Sequence, residues 1–312
     1  MGESATYSHI TLSDAQRIRE LAIHHGGNEK LSPANIQFWY FNNPTKSFSL
    51  WKVVVNGQIE GFATTNNFKY NIDGNEQLVA LPQNVLTSAA IRGQGHFGTL
   101  YRKTESENID DNKVDFFMTS TGEMSTEIFL EKFGYRRGQC PNTLIKLSNP
   151  LTFFVQQNYR VLNSLSDVKP LTQFTLNNAR IKNTDYFLWR YSSVNSDTLI
   201  ILEIFEGGKV IGYAFLIKEK KFGLKTLILA DIHTPERGYI SAIVDACYCY
   251  AVRNFYIAMV MFELSEDCRR RGINISKHNR LNFLVKGKSE SETLRLSEQS
   301  FNSYFGDLDY FW

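Results

Sequence analysis

The sequence predicts an α/β (α+β) chain of two tandem domains, each a mixed central sheet with flanking helices. Three observations lead there. A basic, glycine-rich turn joins a β-branched strand to a helix across Asn84-Val-Leu-Thr-Ser-Ala-Ala-Ile-Arg-Gly-Gln-Gly-His-Phe-Gly98. That turn follows a meander of strand-like segments instead of opening the chain's first βαβ unit. The second half then echoes the first. Trp51-Lys-Val-Val-Val-Asn-Gly-Gln-Ile-Glu-Gly-Phe-Ala63 returns as Leu202-Glu-Ile-Phe-Glu-Gly-Gly-Lys-Val-Ile-Gly-Tyr-Ala214, with Gly57/Gly61 matching Gly208/Gly212. The expected division is 1–148, a linker at 149–180 and a second domain at 181–312.

In order, residues 8–12 read as a strand, and Ser13 or Asp14 caps a helix to His24 that Gly26-Gly27 ends. Ser32-Pro33 opens a second helix, carrying Ile36, Phe38, Trp39 and Phe41, and Asn43-Pro44 stops it. Residues 49–55 and 59–65 form a hairpin about Asn56-Gly57. A third strand, from 77 to about 91, leads into the turn and a helix from about Phe97. A strand at 115–119, a helix at 122–132 and a closing strand at 142–147 complete the first domain. Helical periodicity across 153–165 fills the linker. The second copy repeats the pattern with a strand at 224–232, a helix carrying Ile240, Ile243, Val244 and Cys247, and a closing strand at 282–285.

Composition narrows the function. At 312 residues the chain can bury two cores, and a net charge of +2, from 34 Lys+Arg against 32 Asp+Glu, is dispersed. No basic field of the kind that holds nucleic acid is visible. No stretch resembles a signal peptide or a membrane span, so no membrane insertion is expected and the chain reads as cytoplasmic. Cys140, Cys247, Cys249 and Cys268 show no metal spacing and read as reduced thiols; no metal is expected.

A glycine-rich turn at a helix start presents unpaired N–H groups with the positive end of the helix dipole, which together suit a pyrophosphate. The turn lacks the Gly-Lys-Ser/Thr ending of a nucleotide phosphate loop, since Gly98-Thr99-Leu100 stands there. His96, inside it, either touches phosphate or caps the helix.

Arg92-x-x-Gly95-x-Phe97 resembles the acyl-CoA pyrophosphate loop of the GNAT N-acyltransferases, Arg/Gln-x-x-Gly-x-Gly/Ala, departing at Phe97. Ile128-Phe-Leu-Glu-Lys-Phe-Gly-Tyr135 is similar to the turn that ends the family's last helix. The resemblance covers roughly residues 7–148. It implies acyl-CoA as cosubstrate, held by Val85, Leu86, Thr87, Arg92, Gly93, Gln94, Gly95, His96, Phe97 and Gly98, with a Val85 N–H polarising the thioester carbonyl. The family's usual carboxylate base would fall at Leu81 and its tyrosine acid at Leu130, so neither is present; Gln83, Asn84 and Ser125 are the substitutes, with Tyr101 a further hydroxyl. In the second copy His233-Thr-Pro-Glu-Arg-Gly238 replaces the loop; Pro235 removes a donor and Glu236 repels phosphate, so that copy is expected to complete the acceptor site without binding CoA. The tandem arrangement resembles bacterial GNAT enzymes that transfer 3-hydroxybutanoyl or acetyl groups to a dTDP-linked amino sugar for surface polysaccharide. That resemblance implies a nucleotide-linked amino sugar as acceptor, with Trp39, Tyr304, Asp307 and Asp309 against it; the C-terminal rings equally suit an amphipathic tail packed into the core. A peptidyl or aminoacyl amine acceptor, as in tandem GNAT-like enzymes of cell-wall building, is an alternative, and the missing acid and base also permit a non-catalytic acyl-CoA sensor. A monomer or a homodimer is expected.

Overall fold

The computed structural model describes residues 5–25, 31–155, 158–171, 174–221, 223–264, 266–269, 272–277, 282–304 and 307. The strands are β1 (Ala5–His9), β2 (Phe48–Val55), β3 (Gln58–Ile72), β4 (Asn75–Thr87), β5 (Phe116–Thr121), β6 (Arg136–Arg137), β7 (Thr143–Leu147), β8 (Tyr159–Leu162), β9 (Ala179–Arg180), β10 (Leu199–Glu206), β11 (Lys209–Lys221), β12 (Leu224–His233), β13 (Ala258–Phe262), β14 (Ile273–Lys277) and β15 (Asn282–Lys286). The α-helices are α1 (Ala15–His24), α2 (Pro33–Ile36, continued by a π turn over Gln37–Phe41), α3 (His96–Asp110), α4 (Glu123–Phe133), α5 (Thr184–Ser192), α6 (Ile240–Arg253) and α7 (Glu290–Glu298).

The chain forms two compact units, Met1–Gln139 with Leu281–Gln299, and Cys140–Arg280 with Ser300–Trp312. In the first, the sheet runs β1-β2-β3-β4-β5-β15-β6. Its meander is antiparallel and β4–β5 is parallel. The turns Asn56-Gly57 and Asp73-Gly74 take positive φ at both residues, 50° and 77°, then 51° and 85°, which matches the twist of two-residue hairpins. Ser32 accepts from the Asn35 N–H, which caps α2 at Pro33. Helix α3 lies on β2 and β3, burying Leu100 against Val53, Val55, Ala63 and Ile91. Tyr101 on its other flank packs with Phe117, Phe129 and Phe133.

In the second unit the sheet runs β14-β7-β13-β12-β11-β10-β8, with β12–β13 parallel. Helix α6 buries Ile243, Val244, Cys247 and Ala251 against Leu216, Leu227 and Leu229.

Three expectations are corrected. The strand at 142–147 closes the second sheet, where β7 pairs β13 and β14, and the strand at 282–285 closes the first, where β15 pairs β5 and β6. The boundaries at 148 and 181 therefore do not divide the units. Each exchanged strand carries a lysine whose acceptors lie in the unit that it joins. Buried Lys146 donates to the Cys268 carbonyl and to Asn274 Oδ1 (3.0 Å), and Lys286 donates to Glu105 (2.6 Å). Within the linker, Tyr159–Leu162 form β8 where helical periodicity predicts a helix, because they pair with Ile201–Ile204 of β10. That ladder overrides a short local periodicity.

Candidate active site

The site grows from the way β4 leaves its neighbours. Pairing with β5 ends at Ala80↔Phe117, while β4 runs on to Thr87. The two-residue turn at Asp73-Gly74 closes on Ile72↔Asn75, a hydrogen-bonded pair, and pairs alternate from there. The count places Pro82, opposite Thr65, in a non-hydrogen-bonded pair whose outward groups face β5. Two bonds agree: Asp115 N–H to the Leu78 carbonyl and Thr119 Oγ1 to the Pro82 carbonyl, both 2.7 Å. Pro82 has no N–H to offer β5 at the point where the strands part.

A bulge follows. Thr65 opposes Pro82 and Ala63 opposes Val85, so Gln83 and Asn84 together face Thr64. Beyond the bulge, Ser88 N–H donates to the Glu60 carbonyl at 2.7 Å, which makes that pair hydrogen-bonded and fixes the new phase. Val85/Ala63 and Thr87/Gly61 are then non-hydrogen-bonded pairs, and the Val85 and Thr87 N–H groups point away from β3 into the gap that β5 has left. Paired one to one without the bulge, Val85 would oppose Phe62 and spend its N–H in the ladder. The extra residue turns a ladder amide into an available donor.

Side chains hold the bulge. Thr64 Oγ1 accepts from the Asn84 N–H and donates to the Asn84 carbonyl, each at 3.2 Å. Tyr40 OH bonds Thr64 Oγ1 at 2.7 Å and accepts from Asn84 Nδ2 at 3.1 Å. Gln83 Oε1 accepts from Asn66 Nδ2 at 3.1 Å, and Asn66 accepts in turn from Asn43. Tyr40, Thr64, Asn43 and Asn66 are buried, while residues 83–86 are half-buried.

After β4, a single 3-10 turn (Ala89–Ile91) leads to the loop. Gly93 and Gly95 have φ of 79° and 85°, a region that favours glycine. Gly95 is the N-cap of α3 and no side chain caps it, so the N–H groups of His96, Phe97 and Gly98 are first-turn donors. A Cβ added at Gly93, Gly95 or Gly98 would meet no protein atom within 4 Å. The buried Ser88 hydroxyl beside the loop has no hydrogen-bond partner among the described residues. Exposed Arg92 reaches the Thr87 carbonyl through Nε (3.3 Å), and Gln94 the Ala90 carbonyl (3.1 Å). Uncapped donors and a cation on an open face fit a pyrophosphate.

The loop resolves two sequence questions. The His96 ring is held by Tyr7, Nδ1 to OH at 2.6 Å, so its side chain does not cap α3. The Phe97 ring turns inward, 6.0 Å from Phe133, so a large residue at that position leaves the loop surface clear.

Other sequence candidates lie as follows. Ser125, in the first turn of α4, donates to the Gly122 carbonyl at 3.1 Å. Leu81 is buried and Leu130 packs against the aromatic core. The Tyr101 hydroxyl is buried against that of Tyr135, and burial pushes it well above the usual tyrosine range. Trp39 is buried within the π turn. Leu86 opposes Phe62 in the ladder. Asp307 lies in the second unit, paired with Lys182 at 2.8 Å and Arg180 at 3.4 Å, and Lys182 sits over the Tyr304 ring at 4.5 Å. Asp309 is outside the described residues. Sequence reasoning missed Tyr40 and Thr64. Their only signal was Pro82 inside a strand, which marks an irregularity without naming what holds it.

No protein-family model matches the sequence, and no curated protein matches it. Solved structures do. A conserved protein of unknown function from Enterococcus faecalis V583, described as a probable N-acyltransferase, aligns with a TM-score of 0.65 at 10% identity, over 91% of this chain and 72% of its own. A GCN5-related N-acetyltransferase from Anabaena variabilis ATCC 29413 gives 0.65 at 11%, over 90% and 72%. Eis1 from Mycobacterium abscessus gives 0.64 at 8%, over 91% and 73%. The fold is that of the GCN5-related N-acetyltransferases. Within this GNAT fold, the parting of β4 from β5 and the glycine loop before α3 fall in one unit. Among the described residues no helix is long and apolar enough to cross a membrane.

Proposed function

We propose that this chain is an acyl-CoA-dependent N-acyltransferase whose catalytic unit is the first one. The observation that carries the reading is the Val85 N–H, turned by the bulge into the gap between β4 and β5, one 3-10 turn upstream of an anion-binding loop. Bound acyl-CoA would supply an activated thioester. The N–H groups of His96, Phe97 and Gly98 and the Arg92 side chain hold the pyrophosphate. Leu86 and Thr87 line the path of the pantetheine arm, and Val85 N–H stabilises charge on the carbonyl oxygen, an effect worth roughly 3 kcal/mol in comparable acyl transfers. An acceptor amine attacks the carbonyl carbon, a C–N bond forms, the C–S bond breaks to release the CoA thiolate, and the amine proton leaves to water that Gln83 and Asn84 at the bulge orient. Ser125 is a weaker candidate for that proton, since its hydroxyl bonds its own helix.

For the acceptor, the reading is the amine of a nucleotide-linked sugar of the dTDP-amino sugar class, cytoplasmic and made for surface polysaccharide. Hydroxyls next to the amine lower its pKa, which suits a site with no carboxylate at the expected base position. A thiol-release assay with acetyl-CoA and 3-hydroxybutanoyl-CoA, run against dTDP-amino sugars and peptidyl amines, tests this. Release that depends on the sugar supports it; release with peptidyl amines alone replaces the acceptor class; wild-type protein that binds no acyl-CoA ends the reading.

A further inference from the structure

We propose that Lys103 is the cation that receives the ribose 3′-phosphate of acyl-CoA, so that the flank of α3 facing β1 selects coenzyme A over the same molecule without that phosphate. The inference rests on the acyl-CoA reading and deepens it. Lys103 stands two helical turns beyond His96, so the two side chains share one flank of α3. Side chains on a helix lean toward its N-terminus, and the half-buried Lys103 therefore reaches back toward the glycine loop. Its ammonium lies 5.7 Å from the centre of the Tyr7 ring, and the Tyr7 hydroxyl meets His96 Nδ1 at 2.6 Å. The Trp51 ring, 4.9 Å from the ammonium, supports it from β2.

This cation has rings about it and no acid. Glu107, its (i, i+4) neighbour, is turned elsewhere: it accepts from Ser49 and from Trp51 Nε1 (2.6 Å) and pairs with His9 at 3.1 Å. Glu105 pairs with Lys286. Among the described residues no carboxylate pairs with Lys103. Ring faces steady an ammonium without neutralising it, so its charge is left for a ligand. On the acyl-CoA reading the pantetheine arm runs in the gap beside β5, and the flank of α3 on that side is filled. Phe97 lies against Phe133 there, and Tyr101 packs with Phe117 and Phe129. The nucleotide half, beyond the pyrophosphate, is then directed to the opposite flank, toward the β1 end of the sheet. It brings a phosphate monoester with a charge of about −1.5 to −2 at pH 7. The second unit has no such cation on its helix. As far beyond Gly238 as Lys103 is beyond Gly95 stands buried Ala246, and the one basic residue of α6 is Arg253 in its last turn.

The test compares coenzyme A with dephospho-coenzyme A, which lacks only the 3′-phosphate, by calorimetry on the full chain. Wild type should bind coenzyme A about tenfold more tightly, the scale of one hydrogen bond to a charged group. Lys103→Met, which keeps an apolar chain over the rings, should erase that preference by losing affinity for coenzyme A alone. Lys103→Arg should keep most of it, and added salt should shrink it in wild type. If wild type binds the two ligands alike, or if Lys103→Met keeps the preference or weakens both ligands equally, the inference is overturned and the acyl-CoA reading stands. If wild type binds neither ligand, both fall together. Should Lys103→Met not fold, Lys103→Gln and the wild-type ratio decide between the same outcomes.

Discussion

At the bulge of β4, neutral hydroxyls from Thr64 and Tyr40 hold Asn84 and leave it half-buried at the edge of a gap. At the matching bulge of β12, where Leu216 opposes Leu229 and Phe215 opposes Asp231, the arrangement is different. Tyr191 donates to Asp231 at 2.6 Å, whereas Tyr40 accepts from Asn84, and the Phe215 ring stacks on Tyr191 with centroids 4.5 Å apart. Lys182 bridges Asp231 and Asp307, and Tyr304 covers the lysine. Burial alone would lower the Lys182 ammonium, yet the two carboxylates hold it above the usual lysine range. Burial would raise Asp307, and Lys182 with Arg180 hold it below the usual carboxylate range. Downstream, Pro235 and Glu236 follow His233 and Thr234, where the first unit has Ser88, Ala89 and its glycines. Two copies of one strand geometry thus diverge by a few side chains. One keeps backbone donors available; the other fills the equivalent position with a buried charge network.

The comparison breaks most visibly if that network is removed. Lys182→Met leaves buried Asp231 without its lysine and Asp307 with Arg180 alone, and stability should fall by about 3–5 kcal/mol. Denaturant unfolding of the variant and wild type checks this. A loss below about 1 kcal/mol would mean that the carboxylates find water, and that the second site is open after all.

The loop is next in size. Gly95→Asp sets a carboxylate where the pyrophosphate belongs, and acetyl-CoA affinity in calorimetry should drop by at least about a hundredfold, near 2.7 kcal/mol. Gly238→Asp, at the corresponding place in the second unit, should leave affinity unchanged. Equal losses would assign the cosubstrate to both units.

His233 sharpens the contrast through pH. Its ring is buried against Phe187 at 4.8 Å, and among the described residues neither ring nitrogen has a hydrogen-bond partner. Burial lowers its pKa from 6.5 to about 4. The unfolded chain therefore binds the proton first, so the neutral ring's contribution is complete above pH 6.5 and is lost as pH falls toward 4. At pH 5 the loss is about 2 kcal/mol. His233→Phe should flatten that part of the stability-against-pH curve relative to wild type, measured by urea unfolding between pH 7 and 5. An unchanged slope would assign the acid sensitivity to carboxylates.

The smallest effects concern protons. Gln83→Ala and Asn84→Ala should lower turnover by roughly tenfold to a few hundredfold, overlapping only the lower end of what a dedicated acid or base contributes. Ser125→Ala should cost less than about tenfold, because its hydroxyl bonds the Gly122 carbonyl of its own helix. If any one of these removed nearly all activity, a conventional proton donor or acceptor would stand in the first unit, and the gap would be more than a set of placed amides.

The sequence by itself determined what short-range chemistry can specify. The Asn56-Gly57 turn required a hairpin, Ser32-Pro33 required a helix start, and Arg92 to Gly98 required an open loop with positive φ at two glycines. The echo of Gly57/Gly61 in Gly208/Gly212 was enough to read two copies of one design. The exchange of β7 and β15 was beyond its reach. Thr143–Leu147 and Asn282–Lys286 are both five-residue apolar strands ending near a lysine, and either could close either sheet by pattern. Long-range contacts, among them the distant acceptors of Lys146 and Lys286, accompany the pairing that is found. The bulge of β4 was equally hidden. A ladder's phase is a property of two strands counted together, and the bulge that sets Gln83 and Asn84 opposite Thr64 decides which amides face the partner strand and which face the gap.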